Sequence, residues 1–199
     1  MTSAVASDAE IIDAVLGGDI ERYAELVTQY QHGAWRLAYS LVGNMDDAKE
    51  LSQNAFVKAY RHLGRFRRTA RFSTWLYRIV VNECKDFFRA RARRLQFVTP
   101  AGGLDSEDAT VFEVADPAGT PRDAALDREL AAHLSAAIRR LPDRQREAFV
   151  LCHLQDLPLA EAAEIMGCRL GTVKAHLFRA GEALRQALTP LLDGRRVIA

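Results

Sequence analysis

Apolar residues recur along most of the chain at intervals of three and four, the spacing that places them on one face of an amphipathic helix. No stretch alternates apolar and polar residues between turn signals, as a β-strand would. Caps and glycines divide the first 64 residues into four predicted helices. The first runs from Ser7 or Asp8 to Gly17-Gly18, and the second from Asp19 to near Tyr30. The third runs from near Trp35 to Gly43-Asn44, and the fourth from Asp46-Asp47 to Gly64. The pattern predicts an all-α protein.

The fourth predicted helix has one apolar stripe and one polar face. The stripe comprises Leu51, Ala55, Phe56, Ala59 and Leu63, and the polar face comprises Asp47, Glu50, Gln53, Asn54, Lys58 and Arg61. We expect the stripe to enter the core. The polar face has no obvious local partner, and most faces of this kind are simply solvated.

A strongly basic segment follows at residues 61–94, with eleven Lys and Arg residues against two acids, a net charge of +9. A helix is predicted from about Phe72, with Phe72 and Trp75 on its apolar stripe and therefore in the core. The side chains expected to face outward are Arg71, Arg78, Asn82, Lys85 and Arg89. Cations on a firm helix beside aromatic residues suit a nucleic-acid backbone and unstacked bases, while the alternative is a solvated charged face over an ordinary core.

The helical pattern stops after residue 94. Residues 100–121 contain three Pro, three Gly, five acids and no Lys or Arg. This composition predicts an extended, flexible, acidic linker over residues 95–123. The linker would separate two small helical domains, at residues 1–94 and 124–199.

The second predicted domain contains a short helix at residues 159–166, a Gly-bearing turn at 167–170 and a longer helix from about Gly171. A helix, a short turn and a second helix form the helix-turn-helix arrangement, although such pairs are common in other all-α proteins. Thr172 can cap the longer helix. Its inner face comprises Val173, Leu177, Ala180 and Leu184. The side chains then available to a DNA groove are Lys174, His176 and Arg179.

Composition and charge narrow the classes of function. The formal net charge is only +1, but the basic segment is flanked by acidic stretches, so different parts of the chain can meet different partners. Three scattered cysteines show neither a disulfide framework nor metal-ligand spacing, so no metal or cofactor is expected. The sequence has no signal peptide and no apolar run that could span a bilayer, which predicts a cytoplasmic protein without membrane insertion. Motifs of enzymatic chemistry are absent from the sequence, so no enzymatic activity is expected.

Four segments resemble the two domains of a bacterial RNA polymerase sigma factor of the extracytoplasmic-function (ECF) group. They are DDAKELSQNAFVKAYRHLGRF, FSTWLYRIVVNECKDFFR, LPDRQREAFVLCHLQDLPLAEAAEIMG and LGTVKAHLFRAGEAL. The resemblance covers about residues 19–94 and 124–188, in the order of the family. It implies a protein that binds core RNA polymerase and promoter DNA, and that directs transcription initiation.

The resemblance also implies roles for individual residues. The implied partner is core RNA polymerase, through its β′ clamp and β subunits. Docking on the β′ clamp is implied for Asp47, Glu50, Gln53 and Asn54. Recognition of the melted −10 promoter element is implied for Phe66, Arg67, Arg68, Arg71, Arg78, Asn82, Lys85, Asp86 and Arg89. Recognition of the duplex −35 element by helix 171–185 and the turn before it is implied for Arg169, Thr172, Lys174, His176 and Arg179. The linker would occupy the channel for nascent RNA, and an anti-sigma factor would be the regulatory partner.

The sequence departs from the family pattern at Asn54, where an acid is frequent, at His176, where Arg is frequent, and at Ala162, where Ile is usual. The loop 67–71 also lacks the usual Gly and Asp. From the residues alone, two other classes stay open, a helix-turn-helix regulator outside the polymerase holoenzyme and a helical adaptor. The basic helical first half argues against the sensor or receiver domain that such a regulator would carry.

Overall fold

The computed structural model describes residues 6–97 and 121–196. Within these two stretches the secondary structure is entirely helices and turns, without a β-strand, so the predicted all-α class is confirmed. The chain divides into two compact units, Met1–Ala101 and Gly102–Ala199. The predicted organisation into two helical domains is therefore confirmed as well.

The first unit is built from four α-helices and two 3-10 turns. The helices are α1 (Asp8–Leu16), α2 (Tyr23–Val42), α3 (Met45–His62) and α4 (Phe72–Phe97), and the turns are Ile20–Arg22 and Leu63–Arg65. Helices α2, α3 and α4 pack against one another, and α1 packs against α2. Leu37, Ala55, Leu76 and Val80 are fully buried between them, so the basic helix α4 contributes one apolar face to the core.

The second unit contains four further α-helices. They are α5 (Pro121–Arg140), α6 (Asp143–Phe149), α7 (Leu159–Met166) and α8 (Leu170–Arg196), and a π-helical turn, Val150–Leu154, extends α6. Helix α8 packs against α5, α6 and α7. Its inward side chains Val173 and Ala180 are fully buried, as is Ala162 of α7. A small residue at position 162 therefore lies inside the core of this unit.

The two helices predicted between Asp19 and Val42 are a single helix, and the prediction of two was wrong. Gly33 lies inside α2, and its missing side chain leaves room for Tyr77 of α4. A Cβ atom at position 33 would lie 2.2 Å from the Tyr77 hydroxyl oxygen. The glycine thus permits a close approach of two helices and does not end one.

The helix caps follow the predictions only in part. Ser7 caps α1 in a reciprocal capping box with Glu10, which identifies the cap among the two candidates. Asp19 makes no side-chain cap hydrogen bond and precedes a 3-10 turn. Asn44, expected only to end the preceding helix, also caps α3, because its side chain accepts hydrogen bonds from two backbone N–H groups in the first turn of α3.

The predicted linker overlaps helices at both ends. Helix α4 continues to Phe97, since neither Pro nor Gly occurs among residues 95–97. Helix α5 begins at Pro121. The first helical position tolerates proline, which lacks a backbone N–H, because an N–H there would have no partner within the helix. The rest of the predicted linker, residues 98–120, lies outside the described residues.

We expect Gly33→Ala to lower the free energy of unfolding of the first unit by about 1–2 kcal/mol, because overpacking against the Tyr77 hydroxyl outweighs a gain in helix propensity of about 1 kcal/mol. In a Tyr77→Phe background the same change should be neutral or stabilising. Gly181→Ala in α8 is the matched control and should stabilise, because the new methyl group would have nothing within 4 Å apart from its chain neighbours and the backbone of its own helix. Native-state hydrogen exchange of core amides measures each change. An equal loss at position 33 in both backgrounds would contradict this account.

Candidate nucleic-acid interfaces

The loop at residues 66–71 leads into α4 and is bordered by aromatic rings. The centroid of the Phe66 ring lies 5.1 Å from that of Trp75 and 5.9 Å from that of Phe72. Tyr30 of α2 adds a ring 5.4 Å from Phe72. Phe72 is buried, as predicted, whereas Phe66 and Trp75 are only half-buried. The prediction of a core position for Trp75 was therefore only partly right, because the loop leaves part of its ring accessible.

A cavity of about 500 Å³ opens between this loop, α1, α2 and the start of α4. The rings of Tyr30, Phe66 and Phe72 form part of its wall, and Arg68 and Arg71 bring two cations to it. Its volume lies in the range of pockets that hold small organic groups. Aromatic walls beside guanidinium groups suit a flat base that carries a phosphate.

Helix α1 contributes two acidic side chains to this region. The Tyr30 hydroxyl donates to Asp8 Oδ2 at 2.6 Å. The pKa of Tyr30 is raised, mainly by burial and secondly by this carboxylate. Arg68 donates to both oxygens of Asp13, with 3.1 Å between Nη1 and Oδ2. This contact lowers the pKa of Asp13 below its usual value. Arg68, implied to contact DNA, is thus paired with a carboxylate of its own protein.

One face of α4 carries most of the polar residues implied in −10 recognition. The residues of this polar stripe, which begins in the loop, are Arg71, Arg78, Asn82, Lys85, Asp86 and Arg89. Their spacing keeps them within a narrow band at 100° per residue, over about 27 Å of helix at 1.5 Å per residue. All are exposed except Lys85, which is half-buried. Asp86 and Arg89 form an ion pair at 3.0 Å.

The implied −10 residues therefore fall into two groups. Phe66, Arg68 and Arg71 line the cavity, whereas Asn82 lies about 15 Å further along α4 than Phe72. A single base cannot reach both groups. Arg71 belongs to the cavity and to the polar stripe, so the two form one continuous track.

The polar face of α3 is exposed at Glu50, Gln53 and Asn54, and Asp47 is half-buried in the first turn. Lys58, thought from the sequence to have no partner, forms an ion pair with the nearly buried Glu83 of α4. Its charge therefore belongs to the contact between α3 and α4. The apolar members of this surface, which sequence reasoning missed, are Val57 and Tyr60, exposed at 48% and 39%. The signal was available, since both lie off the inward stripe.

Helices α7 and α8 form the predicted helix-turn-helix. Gly167 ends α7 in the left-handed conformation at φ 62°, and its N–H and that of Cys168 return to carbonyl groups of the last turn of α7. The carbonyl of Arg169 accepts from the N–H groups of Thr172 and Val173, so α8 begins at Leu170. Thr172 is therefore inside the first turn, and its prediction as a cap was wrong.

The outer face of α8 presents two exposed cations and one exposed aromatic ring. Lys174 and Arg179 are five residues apart and hence about 140° apart around the helix. Phe178 lies between them and is 71% exposed. Sequence reasoning missed Phe178, although its position off the inner stripe was visible. Exposed Arg169 and Thr172 extend this face toward the turn.

His176 lies at the edge of the inner face of α8, near the fully buried residues Val173 and Ala180. It is half-buried, and its Nδ1 atom is buried without a hydrogen-bond partner. Of the three side chains assigned to a groove from the sequence, it is the least accessible.

A charged contact connects α6 to the end of α7. Arg144 Nη1 donates to Glu147 Oε2 at 3.1 Å and to the Met166 carbonyl at 3.2 Å. Glu147 is 3% exposed. A buried carboxylate needs such a donor, so this pair fixes the last turn of α7, from which the recognition turn starts.

The part of the chain that the structure describes contains no group of three or more His, Cys, Asp or Glu side chains placed to hold a metal ion. Among its helices, none combines the length and the apolar character needed to cross a membrane.

Comparison with known proteins assigns both units. The family profile for Sigma-70 region 2 matches residues 26–94, and that for Sigma-70, region 4 matches residues 132–184. The RNA polymerase sigma-H factor of Pseudomonas aeruginosa is 37% identical over 188 residues, which cover 93% of this chain and 95% of that protein. The ECF RNA polymerase sigma factor SigW of Bacillus subtilis is 35% identical over 182 residues, covering 90% and 96%.

A solved structure shares the fold. The sigma factor RpoE of Bartonella quintana, crystallised with the anti-sigma factor NepR, superimposes with a TM-score of 0.68 at 24% identity. The match covers 84% of this chain and 96% of the other.

Proposed function

The chain belongs to the extracytoplasmic-function group of sigma-70 RNA polymerase sigma factors, and from this membership we propose how its side chains recognise a promoter. It is a promoter-recognising sigma factor of RNA polymerase. We assign the melted −10 element to the first unit and the duplex −35 element to the second. The observation that carries the first assignment is the continuity of the cavity with the polar stripe of α4 through Arg71.

The cavity takes a base extruded from the duplex. Unstacking and unpairing a base costs a few kcal/mol, and stacking on an aromatic side chain returns about 1–3 kcal/mol. Phe66, which is half-buried at the cavity wall, is the ring best placed for this contact. Arg71 would meet the adjoining phosphate, so that stacking and charge together offset the cost of melting.

The polar stripe then follows the unpaired strand away from the cavity. Arg78 would contact phosphate, because a guanidinium pairs with it through two N–H donors. Asn82 can both donate to and accept from a base edge, so it is the candidate for reading a second base. Arg89 is partly neutralised by Asp86, and we expect it to contribute less to affinity than Arg78.

The second unit reads the −35 duplex with the outer face of α8. A major groove admits one helix, and the side chains near the N-terminal end of that helix reach base edges. Lys174 and Arg179 lie on opposite flanks of the face, where they can contact the two strands. Phe178 between them can touch the methyl group of a thymine, the apolar feature of the major groove.

The exposed face of α3 docks on core polymerase. It combines Glu50, Gln53 and Asn54 with the apolar side chains of Val57 and Tyr60, and a mixture of apolar anchors and a polar rim is typical of protein interfaces. The amide of Asn54 would accept and donate hydrogen bonds where the family often has an acid.

The remaining partners follow from family membership. An anti-sigma factor is the expected regulator, since one relative of the same fold was crystallised with one. The acidic linker would enter the RNA channel of the polymerase, and the protein would act in the cytoplasm. Sigma factors are non-catalytic, and we propose no enzymatic activity for this chain. A helix-turn-helix regulator outside the holoenzyme is not favoured, because both sigma regions match in one chain.

Base reading at the −10 element can be tested on a template whose strands are already unpaired. We expect Phe66→Ala and Asn82→Ala each to lower open-complex formation on a duplex promoter. On a template already unpaired across the −10 element, both should still lose discrimination between the preferred and a wrong base. The loss of discrimination is measured by transcription from two unpaired templates that differ in a single base. If Asn82→Ala keeps wild-type discrimination on the unpaired template, Asn82 is a solvated surface residue.

For the −35 element, replacing a phosphate contact should weaken binding to all sequences and reduce the salt slope by about one unit. Replacing a base contact should cost about 1–3 kcal/mol of discrimination at one position. We expect Lys174→Ala and Arg179→Ala to show one or the other, and Phe178→Ala to relax preference for a thymine without changing the slope. Gln186→Ala, on an exposed residue further along α8, is the control. Unchanged affinity and slope in all three variants would reject α8 as the reading helix.

Polymerase docking can be tested by Glu50→Lys combined with Gln53→Ala. Binding to core polymerase should weaken by at least about tenfold, since interface hot spots exceed roughly 2 kcal/mol, while exposed substitutions change folding by about half a kcal/mol. Glu21→Lys, the same charge change at another exposed residue of the first unit, is the control. A titration that gives wild-type affinity for the double variant would refute the assignment.

A further inference from the structure

The backbone of the 66–71 loop is strained at one residue. Arg68 has a φ of 57°, in the left-handed region that side chains other than Gly, Asn and Asp rarely adopt. Among the described residues other than glycine, Asp156 alone shares a positive φ. A residue in this region persists only where its surroundings hold it there, and such residues concentrate at functional sites.

The contact that holds Arg68 comes from α1. Both Asp13 carboxylate oxygens accept from its guanidinium group, across 55 positions of sequence. Asp13 is itself firmly placed. Its helix is capped at Ser7, and the buried side chains of Ile11 and Ile12 fix that helix against the unit. The rigid partner in this pair is thus the helix, and the adjustable one is the loop.

The same helix is connected to the other side of the cavity. Asp8, one helical turn and a half before Asp13, accepts from the Tyr30 hydroxyl of α2. Asp8 and Arg68 both line the cavity. Polar contacts of α1 therefore connect it both to the α2 wall and to the loop wall of the cavity.

We propose that Asp13 is a positioning residue for −10 recognition, which acts through Arg68 to hold the 66–71 loop in the conformation that shapes the cavity. The inference rests on the proposed role of the cavity. Arg68 then acts by orienting the loop, and phosphate is contacted by its neighbours. The pair is exposed, with 42% and 65% of the two side chains accessible, and exposed ion pairs contribute little to folding. Its loss should therefore change the loop and leave the stability of the unit nearly unchanged.

The test compares Asp13→Ala, Arg68→Ala, the double variant and the charge exchange Asp13→Arg/Arg68→Asp, all in the full chain assembled with core polymerase. The readout is discrimination between the preferred and a wrong base on a template already unpaired at the −10 element. Each single variant should lose discrimination about three- to tenfold, and the double variant should lose no more than either. The charge exchange should recover at least half of the loss, because Asp tolerates a left-handed backbone.

Two further variants separate a failure of the positioning role of Asp13 from a failure of the base pocket itself. Arg68→Gly should lose less discrimination than Arg68→Ala, because glycine adopts the left-handed conformation without strain. Phe66→Ala tests the cavity itself. If Phe66→Ala alters base preference and Asp13→Ala does not, the positioning role is wrong and the base pocket stands. If neither alters it, the proposed pocket fails, and the inference falls with it.

Salt dependence provides an independent readout that separates positioning of the loop from a direct phosphate contact by Arg68. A phosphate contact by Arg68 would make the slope of log affinity against log salt shallower by about 0.7 in Arg68→Ala and leave it unchanged in Asp13→Ala. We expect equal slopes for wild type and both variants on single-stranded −10 DNA. A shallower slope confined to Arg68→Ala would overturn the proposal in favour of direct contact.

Discussion

The separation of α4 into an apolar face and a cationic face is the constraint on which the first unit depends. Burying an unpaired guanidinium group is far more costly than exposing it, so a helix this rich in arginine has one acceptable rotation about its axis. That rotation places Leu76 and Val80 in the core and turns the polar stripe outward. Since Phe72 enters the core at the first residue of α4, it also fixes where the preceding loop ends. The cavity forms between that loop and α1.

Much of this arrangement could be predicted from the sequence, because it depends on local periodicity. The outward position of Arg78 and Asn82 and the burial of Phe72 follow from apolar residues three and four apart. The errors arose where a distant residue decided the outcome. Gly33, in the gap predicted between two helices, lies inside α2, where it accommodates Tyr77, 44 positions later. Lys58 likewise has a distant partner, Glu83, which lies on another helix.

The candidate sites show the same division between local and distant information. The sequence indicated the cations of α8 and the face of α3, but it gave no sign that Asp13 and Arg68 meet. The sequence also overstated the accessibility of His176, whose position in the helix-turn-helix suggested that it faces a DNA groove. The neighbours of His176 on α8 are buried, so a large part of its ring is withdrawn from the surface. Which residues lie near a site could be predicted, whereas their pairing could not.

The polar stripe of α4 has a consequence for how such a protein can change over generations. Each exposed residue can be exchanged without disturbing the core, so base preference is free to drift by substitution. An insertion or deletion of one residue within α4 is different, because it rotates everything beyond it by about 100°. Arginines would then turn inward and core residues outward. The identities of the side chains that meet DNA are therefore open to variation, while the number of residues between them is fixed by the fold.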